Sequence, residues 1–160
     1  MKQFKLYFIG FALALVLLGV AAFFAIVGIL PIKGWITDDP SFAPYLYMVP
    51  VSLTLFALTG LSLMAAILSG MYTTYLYGKG KVFELAMEKG LNRTGLAFLS
   101  ACLFSLLFAI YLAVNFRSFS LFAALLLFVG LFLLAAFLFF LLADVVEKGR
   151  LLQDEHDLTI

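Results

Sequence analysis

The sequence predicts an all-α integral membrane protein: a four-helix bundle with both termini on the inner side, a short amphipathic inner-loop helix and a cytoplasmic helical tail. Three observations predict it. Of 160 residues, 66% are apolar and 12% charged, where a soluble domain has about 45–50% and about 25%. A soluble domain of 17.7 kDa has too little interior to hide that excess. Four uncharged stretches are each long enough to cross a hydrocarbon core, which takes about 20 helical residues. Lys and Arg are also distributed unevenly between the two sides that four crossings create. With 12 Gly, 4 Pro and 1 Cys, disordered, collagen-like and disulfide-stapled classes are excluded.

The first stretch runs from Leu6 to Ile32. A cleavable signal peptide would have an apolar region of about 7–15 residues; this one is longer and lacks a clear A-x-A site, so it reads as a retained span over about 6–30. The second stretch lies within Pro40 to Gly78. Two crossings with a turn would need somewhat more than 40 residues, and Pro40, Pro44 and Pro50 crowd its start. Proline is tolerated in a first helical turn and costly later, so the stretch reads as one span, about 46–76. The third span covers about 94–115 and the fourth about 118–143. Runs such as Leu121 to Phe128 are apolar all round, unlike the alternation of a barrel strand.

Orientation follows from the basic residues. One side holds Lys2, Lys5, Lys79, Lys81, Lys89, Arg93, Lys148 and Arg150; the other holds Lys33 and Arg117. By the positive-inside rule the eight lie in the cytoplasm of a cell whose inner membrane carries the chain. Trp35, Tyr45 and Tyr47 mark the outer boundary, and Tyr72, Tyr75 and Tyr77 the inner one. The outer face is small, while the inner face has a loop over 78–93 and a tail over 144–160. Within the loop, Lys81 to Leu91 reads as a short amphipathic helix, with Val82, Phe83, Ala86, Met87 and Leu91 on one face. In the tail, Val145, Leu152 and Glu155 fall on nearly one stripe. Gly149 costs the helix about 1 kcal/mol against Ala, so it marks close packing or a bend. Leu158, Thr159 and Ile160 close the chain after an acidic run. They either fold back to cap the bundle or enter a partner's groove or strand edge.

The spans lack the polar chemistry that enzymes and coupled transporters keep at depth. No Asp, Glu, Lys, Arg or His lies in any of them. The serines and threonines present can satisfy themselves on a carbonyl one turn back. Cys102 stands alone mid-span, and the sole histidine, His156, lies in the tail, so thiol redox chemistry, haem and a metal cluster are not expected. No catalytic residue, cofactor or metal ligand is assigned, and the chain is not expected to be an enzyme. Small residues in the first span (Gly10, Ala14, Gly19, Ala21, Ala22, Ala25, Gly28) suit close helix packing, either within the chain or in a homo-oligomer.

The tail also resembles a known pattern. Glu147, Gly149, Leu152, Glu155, Asp157, Leu158, Thr159 and Ile160 match the closing signature E-x-G-x-x-L-x-x-E-N-D-L-T-I of a bacterial four-span membrane family catalogued as domain of unknown function 2975. His156 stands where that family has Asn. Gly80-Lys81-Val82-Phe83 resembles the family's G-x-x-F loop, and the length and four-span layout are similar over essentially the whole chain. Members are often encoded beside a very small helix-turn-helix regulator. The resemblance therefore implies a membrane partner of a cytoplasmic DNA-binding protein, with Phe83 and the eight tail residues as partner-binding positions. Direct nucleic-acid contact by this chain is not expected, since the inner surface holds eight basic and seven acidic residues and no basic stripe. Membrane lipid is the other expected partner. The alternatives are a small transporter, an immunity-type membrane protein, or a structural subunit of a membrane complex.

Overall fold

The computed structural model describes residues 9–24, 26 and 40–158, and every one of its regular elements is helical. Helix α1 is Ile9–Phe24. A 3-10 segment, Pro40–Met48, leads into α2, Val49–Gly78; α3 is Leu85–Phe116 and α4 is Phe119–Leu158. Three helical runs, Ala43–Gly78, Leu85–Phe116 and Phe119–His156, are long and apolar enough to cross a membrane. The first expected span is described only over α1 and residue 26. Trp35 and Lys33 of the expected outer loop, Lys2 and Lys5, and Thr159 and Ile160 lie outside the described residues.

Proline chemistry sets the start of α2. Pro44 sits inside the 3-10 segment and Pro50 in the first turn of α2, where the missing N–H has no helical partner to lose. One helical run thus spans the stretch, as its three early prolines imply. The helix ends in a Schellman motif: Gly80 N–H donates to the Tyr77 carbonyl and Lys81 N–H to the Leu76 carbonyl, both at 3.1 Å. Gly80 supplies the left-handed residue at φ +76°, which explains the glycine that opens the G-x-x-F pattern. At the opposite end of the molecule, Arg117 (φ 51°) turns the chain. The Ser118 hydroxyl then accepts from Leu121 N–H at 3.4 Å, an N-cap for α4.

The amphipathic stretch 81–91 is not a separate helix. Val82, Phe83 and Glu84 belong to the connection, and α3 starts at Leu85 and continues unbroken to Phe116. Charge at Lys89 and Arg93 changes the surroundings of that helix but not its backbone hydrogen bonding, so nothing interrupts it. The tail behaves in the same way. Residues 144–158 extend α4 without a break and do not fold back.

Helix α3 lies in the middle, packed on α2 along one side and on α4 along the other; the backbones of α2 and α4 do not approach each other. On α1, the residues 10, 13, 14, 17, 20, 21 and 24 form the half-buried stripe and the rest face outward. Phe24 meets Phe56 of α2 with ring centroids 4.4 Å apart. Its ring fills the place that a Cβ on Gly60 would need, 2.6 Å away. The close approach therefore occurs at Gly60, whereas Gly10 and Gly19 have open space around them. Most apolar side chains of α4 point outward, Leu127, Leu131 and Leu141 among them at 62–72% exposure. Lipid covers such faces without cost, and contacts between helices then rest on small residues and shape.

Gly95 is one such contact. The Phe140 ring of α4 stands 2.7 Å from where its Cβ would be, so bulk there pushes α3 and α4 apart. Gly95→Val is expected to lose about 2 kcal/mol, the scale of overpacking. Gly130→Val, with nothing within 4 Å, serves as the control. Reversible unfolding in detergent checks both, and equal stability of the two variants would refute the close contact.

A candidate docking site at the charged end

The one buried apolar cluster among the described residues lies where the charges begin. Leu76 of α2, Met87 and Leu91 of α3, and Ala143 and Val146 of α4 pack together, with Ala86 and Phe139 around them. Water makes such a cluster profitable, and lipid does not. Polar groups beside it are satisfied locally. The Gly90 carbonyl accepts from the Ser69 hydroxyl and from the buried Thr94 hydroxyl, both at 3.0 Å. Thr73 packs onto Gly90, where an added Cβ would meet its methyl at 2.6 Å.

Two features tie the α2–α3 connection and the start of α3 to α4. Arg150 Nη2 donates to Glu88 Oε2 at 3.3 Å, with the side chains only 27% and 15% exposed. Glu88 also sits in the first turn of α3, where the helix dipole favours an anion. Arg150 Nη1 lies 3.8 Å from Asp154, one turn on. The second feature is Phe83, whose ring covers Gly149 so closely that a Cβ there would lie 2.4 Å from it. Gly149 thus serves close packing, and α4 passes through it uninterrupted. Two exposed pairs, Lys81–Glu84 at 3.2 Å and Lys148–Asp144 at 2.7 Å, add little by comparison. Lys148 is held above its ordinary value by its hydrogen bond to Asp144 and that carboxylate's charge.

Of the residues singled out in the sequence, Phe83 and Gly149 are brought into contact. Phe83 remains 47% exposed, and Leu152 is 67% exposed. Helical spacing puts Leu152 and Val145 on the flank of α4 that also carries Gly149, with Glu155 at its edge. Glu147, also exposed, shares a different stripe with Leu151 and Asp154 (i, i+4, i+7). The backbone of α4 includes Asp157 and Leu158. Arg150 and Glu88 were not foreseen as a pair. The available signal was the spacing of Ala143, Val146 and Arg150, which puts the arginine on the core stripe.

Asp144 is the first charged residue of α4 after the turn, and Arg93 is the last on α3 before its uncharged length. The contact of Gly95 with Phe140 sets these two residues at similar height. Leu152 stands eight residues beyond Asp144, about 12 Å at the helical rise. From Leu151 to His156 every side chain is exposed. The last two turns of α4 thus overhang the connection, with two leucines among Asp154, Glu155 and His156. Among the described residues no three of His, Cys, Asp and Glu gather as they would around a metal ion. The arrangement is suited to holding another molecule by shape, apolar area and charge.

Comparison of the chain with family models, curated proteins and solved structures finds no match.

Proposed function

We propose that this chain is a non-enzymatic, four-span protein of the cytoplasmic membrane, with both termini inside, that docks a small cytoplasmic DNA-binding regulator on its charged end. The excess of Lys and Arg at that end supports the orientation. The observation that carries the docking reading is the overhang of α4, with Leu151 and Leu152 exposed at 49% and 67%. The interfacial layer adds about 5–7 Å on each side of the hydrocarbon, so leucines about 12 Å beyond Asp144 lie outside lipid. Large apolar side chains held in water on a rigid helix mark an interaction surface. Burying one is worth about 1.5–3 kcal/mol. The helix-turn-helix class of the partner comes from the tail's resemblance, and the acidic side chains Asp154 and Glu155 beside the leucines suit a basic protein.

The consequence is sequestration by mass action: a regulator held here is withdrawn from DNA. A stimulus acts only by binding two arrangements of the helices unequally. The joint of Phe83 with Gly149 and of Glu88 with Arg150 is where such arrangements would reach the docking surface. A second reading, a structural subunit of a larger membrane complex, is favoured by the outward apolar face of α4.

A crosslinked pulldown from native membranes, comparing the full chain with one ending at Arg150, separates the two. Capture of a small DNA-binding protein by the full chain alone is expected. Equal capture of the same membrane proteins by both forms would reject docking in favour of the subunit reading.

A further inference from the structure

We propose that Lys89 and Arg93 form a binding site for the phosphate of an anionic phospholipid in the leaflet around the charged end. Among the described residues, the other cations at this end are committed. Lys79 lies 4.6 Å from the centre of the Tyr75 ring, Lys81 pairs with Glu84, Lys148 with Asp144, and Arg150 with Glu88. The same pairs commit the nearby carboxylates. Lys89 and Arg93 are exposed, and among the described residues neither side chain has a hydrogen bond or an ion pair.

Their positions match a headgroup. They stand at i and i+4 on α3, so their Cβ atoms are about 5–6 Å apart on one face. That is one helical turn along the axis, about the thickness of the interfacial layer. Arg93 is the deeper of the two, next to the uncharged length of α3, and its long stem lets the guanidinium reach out to phosphate level. Its planar fork takes two phosphate oxygens while Lys89 adds a point charge from the aqueous side. Tyr72, 48% exposed, lies against Gly90, next to Lys89, and gives the headgroup an amphipathic wall. A zwitterionic lipid offers the same phosphate with a compensating cation, so the site selects for net negative charge. This inference does not depend on what docks on α4.

The test uses the full chain purified in detergent containing equal amounts of phosphatidylglycerol and phosphatidylcholine, with retained lipid counted by native mass spectrometry. Wild type is expected to retain phosphatidylglycerol preferentially. Lys89→Gln with Arg93→Gln should lower that preference about 30-fold, from roughly a fivefold contribution per cation. Lys148→Gln should leave it unchanged, and Lys89→Arg with Arg93→Lys should retain most of it. Loss of the same size in Lys148→Gln, or none in the double variant, would overturn the site. Displacement of the lipid by millimolar inorganic phosphate would also overturn it, by assigning the site to the free anion. The substituted residues are exposed, and an unchanged unfolding temperature in each variant confirms that retention reports binding.

Discussion

Arg150→Ala will destabilise the charged end by about 3 kcal/mol, the lower part of the range for breaking a shielded ion pair by removing one partner. The cost arises on the other side of the pair. Glu88 keeps 15% exposure and cannot recover its hydration once the guanidinium is gone. Glu88→Gln will cost less, because Arg150 still has Asp154 within 3.8 Å and a neutral amide still accepts a hydrogen bond. Replacing both, Arg150→Met with Glu88→Leu, will recover most of the loss, since a well-packed apolar pair needs no desolvation of charge. Reversible unfolding gives the magnitudes, and hydrogen exchange locates them in 85–91 and 144–152. Stability of Arg150→Ala within about 0.5 kcal/mol of wild type, the range of ordinary surface changes, would mean that the pair does not brace α3 to α4.

Leu151→Glu combined with Leu152→Glu will lower partner capture more than 100-fold while leaving stability almost unchanged. The two side chains are 49% and 67% exposed in the free protein, so the fold loses little that it had buried. The partner loses about 3 kcal/mol of apolar contact, the size of an interface hot spot. Added negative charge would strengthen a purely electrostatic grip on a basic partner, so the sign of the effect separates the two contributions. Titration of purified partner onto the protein in nanodiscs reads it directly. Undiminished affinity would place docking elsewhere on the molecule.

The helices were legible because hydropathy marks segments apolar enough to cross a membrane, and in this chain nearly everything between the charges is apolar. Their limits were less legible. Lys89, Arg93 and Asp144 mark the edge of the apolar zone, yet α3 begins at Leu85 and α4 runs to Leu158. A backbone hydrogen-bond ladder continues into water whenever nothing breaks it. Three helices leaving together also create an apolar cluster at Leu76, Met87, Leu91, Ala143 and Val146, which no single segment announces. Phe83 and Gly149 stood out separately, and their contact depends on how the turn at Gly80 aims the connection. The salt bridge of Glu88 with Arg150 joins residues 62 apart in sequence; each alone reads as a solvated charge. Gly60 shows the converse. Small residues of α1 invited a close-packing reading, whereas the ring of Phe24 settles on a glycine of α2.

The central claim is that the end of α4 stands in cytoplasmic water as a partner's seat, and cysteine accessibility in membranes tests it most directly. In a Cys102→Ser background, Leu152→Cys should react with a membrane-impermeant maleimide in inverted vesicles and not in intact cells, and Phe119→Cys the reverse. Restoring the cytoplasmic fraction should shield Leu152→Cys and leave Lys79→Cys, exposed at the end of α2, reactive. Labelling of Leu152→Cys from outside intact cells, or labelling from inside that no cytoplasmic component slows, would contradict the account.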